Sequence, residues 1–166
     1  MASDTIFYNC PLGVLKISAA KTHISEITFV QDVAPEIYDS AGVPFSPMLQ
    51  LCTDQLDKYF HGDLKDFSFS FLQTGTLFQQ KVWNELNKIP FGKTISYLEL
   101  SKKLGNTKAI RAAASANGKN SLAIVVPCHR VIGSNGTLVG YAGELWRKKW
   151  LLNHEARYAH GVQSLF

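Results

Sequence analysis

Between residues 5 and 30, apolar and polar positions alternate through three short runs rich in β-branched and aromatic residues, TIFYN, GVLKIS and ISEITFV. Pro11-Leu12-Gly13 and Lys21-Thr22-His23 break them, a pattern that predicts a small antiparallel meander. Residues 31 to 45 carry Pro35, Gly42 and Pro44 and read as a loop. The period then changes: Leu49, Cys52, Leu56 and Tyr59/Phe60 recur at helical spacing, so that Cys52 faces a core. Phe67, Phe69 and Phe71 alternate with Ser68 and Ser70, the period of a half-buried strand.

After Gln73-Thr74-Gly75 the grammar is helical. Thr76 and Gln79 form a capping box at the start of a helix that turns Phe78, Val82, Trp83 and Leu86 inward, until Pro90-Phe91-Gly92 stops it. Ser96 and Glu99 form a second box opening SYLELSKKL, which Gly105 closes; Asn106 or Thr107 then caps TKAIRAAASANG. Two short helices joined by a tight glycine turn are the signature of a helix-turn-helix. An apolar run, LAIVV, leads into Pro127-Cys128-His129-Arg130, and Ser134-Asn135-Gly136 predicts a hairpin between VI and TLVGY. A last helix, ELWRKKWLLNHE, is expected to bury Leu145, Trp146, Trp150 and Leu151. The boundary falls near residue 75, giving domains 1–75 and 76–166.

Composition narrows the class. The 166 residues are 46% hydrophobic and 11% aromatic, ample for packed cores, and repeats and low-complexity tracts are absent. A net charge of +4 and a pI near 9.0 lean toward a polyanionic partner without requiring one. No run approaches the roughly 18 apolar residues of a membrane span, and the N-terminus has no secretory pattern, so no membrane partner and a cytosolic or nuclear location are expected. Three cysteines far apart, Cys10, Cys52 and Cys128, argue against a disulfide framework. A zinc site from Cys10, His23, Cys52 and His61 would need spacing unlike compact metal motifs, so no metal and no cofactor are expected.

The residues after the apolar run carry the chemistry. A thiol of ordinary pKa needs a base to become a nucleophile, and His129 beside Cys128 is a candidate, with Glu155 as its orienting carboxylate. Adjacent residues in an extended chain face opposite ways, so a bridging water is an option. The competing reading is a buried thiol with unrelated polar neighbours. Ala112, Ala113, Ala114, Ser115 and Ala116 leave the preceding helix almost without bulk, which suits close packing and a nucleic-acid surface equally; Arg111 projects from it.

PCHRVIG, with the SYLELSKKLG and KAIRAAASANGKN helices and the VGYAGELWRKKWLLNHE tail, closely resembles the O6-alkylguanine-DNA alkyltransferases, or methylated-DNA–protein-cysteine methyltransferases. The resemblance runs from about Thr76 to the end, the N-terminal half agreeing in pattern alone. It implies an α/β protein with a small ribonuclease H-like α/β domain and a C-terminal winged helix-turn-helix domain. It implies that Cys128 accepts the alkyl group irreversibly, that His129 and Glu155 form a water-linked relay, and that Asn120 is a hinge. Tyr97 would turn the target phosphate and protonate the leaving guanine. Arg111 would replace the extruded nucleotide, with Asn106, Ala112, Ala113, Ser115 and Ser134 on the DNA side. Val131, Tyr141, Ala142 and Gly143 would line the lesion pocket. Ala114, Ser115 and Ala142 stand where many relatives carry glycine or serine, and Leu98 where some carry a polar residue; the zinc ligands of some relatives have no match.

The implied partner is double-stranded DNA containing O6-alkylguanine, with O4-alkylthymine an open second substrate, met by a monomer whose cooperativity on DNA is left open. Two other classes remain: a non-catalytic winged-helix protein that binds lesions or regulates transcription, and a cysteine hydrolase with a Cys-His-Glu triad. Relatives that only bind lesions lack the cysteine.

Overall fold

The computed structural model describes residues 4–31, 46–162 and 166, and the chain divides into two units, Met1–Gln73 and Thr74–Phe166. The first is built on the expected meander: β1 (Asp4–Cys10), β2 (Gly13–Ala19) and β3 (Ile24–Val30), antiparallel and in sequence order. Leu15, Ile17, Ile24 and Ile27 are wholly buried, each contributing roughly 1.5–3 kcal/mol of hydrophobic stabilisation. Helix α1 (Pro47–Phe60) packs on this sheet through Leu49, Cys52, Leu56 and Tyr59. Burial pushes the Cys52 thiol up to about 12 and leaves it inert. Cys10 is only half-buried at the end of β1. The loop expected over 31 to 45 lies, Gln31 excepted, outside the described residues.

The phenylalanine run departs from its expectation. Phe69 and Gln73 are buried while Ser68, Ser70 and Leu72 are exposed, so the alternation of faces is real. No strand forms, however; the segment makes one bridge, Phe71 to Ile24. Gln55 of α1 explains part of this. Its Oε1 accepts from Ser68 N at 2.8 Å and its Nε2 donates to Ser68 Oγ at 2.6 Å, engaging a backbone group that a ladder would otherwise use.

In the second unit, α2 (Leu77–Leu86) opens on the Thr76/Gln79 capping box and buries Val82, Trp83 and Leu86. β4 (Ile95–Ser96) leads through the Ser96/Glu99 box into α3 (Tyr97–Lys103). Gly105, at φ 81°, makes the tight turn that a side chain would strain. The Asn106 side chain accepts from Lys108 N at 3.0 Å to start a 3-10 turn, Thr107–Ala109, before α4 (Ile110–Gly118). Ala113 and Ala116 face inward and let α4 approach α2 and α3 closely, and Trp83 Nε1 donates to Ala116 O at 3.0 Å. This is the helix-turn-helix read from the chain.

Two expectations fail here. β5 (Val131–Ile132) does not start a hairpin but pairs in parallel with β4. The turn at Ser134-Asn135-Gly136 forms, with Gly133 N donating to Thr137 O at 2.8 Å, yet no return strand follows. The carbonyls of Val131, Val139 and Gly140, available to such a ladder, accept instead from Lys148 Nζ at 2.6, 2.9 and 3.0 Å. Helix α5 (Leu145–His160) is also rotated from expectation: Leu145 and Trp146 are 48% and 49% exposed, and Trp150 is half-buried. Of the four expected core residues only Leu151 is fully buried; Lys148, Leu152, Glu155 and Ala156 share its burial. Two polar side chains with partners waiting decide that face.

Candidate active site

The apolar run ahead of Cys128 is core from Leu122 to Val126 but is not a strand. It is a series of tight turns in which Ile124 takes φ 72°, a costly conformation for a β-branched residue. Asn120 holds the turns together. Its Oδ1 accepts from Leu122 N at 3.1 Å, and its Nδ2 donates to Val126 O at 2.9 Å. Pro127 then leads into a 3-10 turn, Cys128–Arg130, closed by Arg130 N donating to Pro127 O at 3.0 Å. With three residues per turn, consecutive side chains fan out about 120° apart. Cys128, His129 and Arg130 therefore point three ways, a geometry different from the extended chain assumed from sequence.

Two of those directions converge on Glu155. His129 Nε2 lies 2.7 Å from Glu155 Oε1; Arg130 Nε and Nη2 grip the same carboxylate at 2.8 and 2.9 Å; Gly92 N donates to it at 3.3 Å. A Cβ at Gly92, already at φ 77°, would collide with Ala159 of α5, so glycine is required where the chain brings this N–H to the carboxylate. Arg130 Nη1 donates to Ile89 O at 2.6 Å. Burial alone would raise the Glu155 carboxyl, but His129 beside it and the bonds from His129 and Arg130 hold it well below the usual carboxylate range. An ionised carboxylate accepts, so His129 carries its proton on Nε2 and keeps the Nδ1 lone pair as its basic site. Nδ1 is buried with no hydrogen-bond partner among the described residues. Burial lowers the imidazole pKa, against the pull of Glu155, so the ring rests neutral.

Because α5 runs on to His160, Glu155 lies before its last turn, where the helix dipole does not explain a carboxylate. Its hydrogen-bond partners account for it instead.

The third direction is that of the thiol. Cys128 is 5% exposed. Burial pushes its pKa up, while a hydrogen bond from the Asn120 side chain and the charge of Lys148 pull it down. Lys148 is itself fully buried, held by its three carbonyls, and burial lowers its ammonium to about 8. Its Nζ also lies 5.7 Å from the centre of the Tyr97 ring. Tyr97, the first residue of α3, is half-buried; burial and the nearby Cys128 raise its phenol.

Tyr97 and Arg111 line a cavity of about 290 Å³ with Ala114, Asn117, Tyr141 and Ala142. Cys128 is not among its lining residues; its backbone carbonyl is linked to the lining through Asn117 Nδ2, which donates to Cys128 O at 3.3 Å and to Tyr97 Oη at 3.4 Å. Val131 and Gly143, expected on the pocket wall, are buried and outside this lining. Arg111, Ala112 and Ser115 are exposed on α4, and Asn106 and Ser134 are exposed in turns. Ala113 is withdrawn from the expected DNA side: at 0% exposure its methyl group packs inside the unit. Arg130, Lys148 and Asn117 join the site with no role expected for them from sequence. Lys148 is seven residues before Glu155 and so on the same face of α5, a signal that was available.

Among the described residues no cluster of three or more His, Cys, Asp or Glu could hold a metal ion, and no helix is long and apolar enough to cross a membrane.

Two family models match the chain: "6-O-methylguanine DNA methyltransferase, ribonuclease-like domain" over residues 5–73, and "6-O-methylguanine DNA methyltransferase, DNA binding domain" over residues 77–157. A methylated-DNA–protein-cysteine methyltransferase of Methanosarcina acetivorans is 38% identical over 148 residues, 89% of this chain and 95% of that one. The constitutive methylated-DNA–protein-cysteine methyltransferase of Bacillus subtilis is 42% identical over 149 residues, 87% and 90% of the two chains. The O6-methylguanine methyltransferase of Mycobacterium tuberculosis superposes with a TM-score of 0.83 at 35% identity over 97% of each chain. The OGT protein of that organism in complex with DNA superposes with a TM-score of 0.82 at 36% identity, over 93% of each.

Proposed function

The chain belongs to the 6-O-methylguanine DNA methyltransferase family, and from that premise we propose that it removes the alkyl group of O6-alkylguanine in duplex DNA by transferring it to its own Cys128. It is a DNA alkyl-repair protein, a methylated-DNA–protein-cysteine methyltransferase, and DNA is its partner. The observation that carries the site assignment is the convergence of His129 and Arg130 on the buried Glu155, next in sequence to Cys128, whose backbone is bonded to the cavity-lining Asn117.

A base stacked in a duplex hides its O6 substituent, so the nucleotide is flipped out at a cost of a few kcal/mol. The low-bulk outer face of α4, with Ala112 and Ser115, lies against the DNA, and Arg111 fills the gap left behind. Asn106 and Ser134 contact the backbone. In the cavity the base meets Tyr97, Tyr141 and Ala142. His129 Nδ1 takes the thiol proton, directly or through one water, and Glu155 stabilises the imidazolium that forms. The thiolate attacks the alkyl carbon; the S–C bond forms as the C–O6 bond breaks, and the bonding pair stays on guanine. Tyr97 Oη gives its proton to the guanine anion. Asn120 and Lys148 stabilise the thiolate before attack. The product is a thioether, which water does not cleave, so the protein is consumed.

Stoichiometry tests this reading. Duplex containing O6-methylguanine, in excess over protein, should yield one repaired guanine per protein molecule and then stop. A lesion binder repairs none, and a hydrolase continues to turn over.

A further inference from the structure

Asn117 is buried in α4 at 4% exposure, in a helix where asparagine has poor propensity, and its Oδ1 has no hydrogen-bond partner among the described residues. An unpaired buried acceptor costs stability, and an apolar side chain of the same shape avoids that cost. Asn117 is therefore not explained by packing. What it does make are the two bonds from Nδ2, to Cys128 O and Tyr97 Oη. A backbone carbonyl can only accept, so the amide must present Nδ2 to Cys128, and the same nitrogen then meets the phenol. Tyr97 Oη thus accepts from Asn117 and keeps its own proton to give away. That proton points to Val139 O at 3.4 Å.

We propose that Asn117 is a positioning residue for the transfer reaction: it ties the Tyr97 hydroxyl to the backbone of Cys128 and fixes its polarity, so that the phenol donates to the departing guanine while its oxygen is stabilised by the amide. This rests on Tyr97 acting as the acid in the reading above. As the C–O6 bond breaks, the guanine anion takes the phenolic proton and the phenolate left behind accepts a hydrogen bond from Asn117 Nδ2. That bond strengthens as charge develops on Oη, so its contribution is greater in the transition state than in the ground state.

The test is Asn117→Leu, close in shape and without hydrogen bonds. It should unfold near the wild-type temperature, because losing the unpaired Oδ1 offsets the donor that Cys128 O gives up. Its maximal single-turnover rate should fall about tenfold, the scale of one lost hydrogen bond to the transition state, with the half-saturating DNA concentration unchanged. Free O6-benzylguanine should slow equally, because the bond concerns the base and not the duplex. In a Tyr97→Phe background the same substitution should change the rate less than twofold, there being no hydroxyl left to position. Asn117→Asp should be slower than Asn117→Leu, because a carboxylate would draw the phenolic proton toward itself. A wild-type rate for Asn117→Leu, an equal loss in the Tyr97→Phe background, or an Asn117→Leu protein that does not fold would each overturn the proposal. Wild-type protein that moves no alkyl group would instead defeat the functional reading beneath it.

Discussion

Replacing Glu155 by glutamine keeps the shape and removes the charge, and the structure sets two separate costs. The carboxylate takes hydrogen bonds from His129, twice from Arg130 and from Gly92. A glutamine has one oxygen to offer, and its NH₂ must face a donor. The Arg130 guanidinium, 6% exposed, loses its counter-charge, and breaking a buried pair from one side typically costs about 3–5 kcal/mol of stability. The kinetic cost comes from the imidazolium. Opposite charges about 4 Å apart interact by roughly 4 kcal/mol at an effective dielectric constant near 20, which translates to two to three orders of magnitude in rate. Single-turnover transfer from O6-methylguanine duplex, measured well below the unfolding midpoint, should show that loss with DNA affinity little changed. The double variant R130M/E155Q separates the two costs. Without the stranded guanidinium it should recover part of the stability but none of the rate. A folded Glu155→Gln protein within about threefold of wild type, or a double variant with restored rate, would refute the assignment of Glu155 to imidazolium stabilisation.

Two further outcomes follow from the same geometry. Because burial depresses the His129 pKa below its usual 6.5 and the base must be neutral to act, transfer from O6-benzylguanine should fall on acidification with a midpoint below 6.5; a midpoint above 6.5 would contradict this. Arg111→Ala should slow transfer from saturating duplex by one or more orders of magnitude, the loss of roughly 1–3 kcal/mol, and leave O6-benzylguanine almost unaffected; a wild-type rate on saturating duplex would reduce Arg111 to a phosphate contact.

Local rules were legible where one short stretch decides its own structure. Both capping boxes, the meander and the glycine turn between α3 and α4 need only neighbouring residues, and each forms as read. The misreadings lie where a distant polar group intervenes. Lys148 takes the carbonyls around the expected hairpin, Gln55 engages the backbone of the phenylalanine run, and the demand to bury Lys148 and Glu155 turns Leu145 and Trp146 outward. At the site, Cys128, His129 and Glu155 could be named from residue type and resemblance, but the Arg130 fork could not. It depends on a 3-10 turn that periodicity does not reveal, in a run whose apolar composition reads as a strand. Asn117 was hidden in an alanine-rich helix, where a lone amide carries no signal until Tyr97 and Cys128 are brought to it.

The central claim is that Cys128 alone receives the alkyl group. After reaction with O6-methylguanine duplex, peptide mapping by mass spectrometry should find one methyl group per chain, on the peptide containing Cys128. Cys128→Ser should gain none while still binding the lesion, since a hydroxyl is far less nucleophilic than a thiolate at neutral pH. A methyl group on the half-buried Cys10 or on Cys52, or transfer that survives Cys128→Ser, would contradict the account.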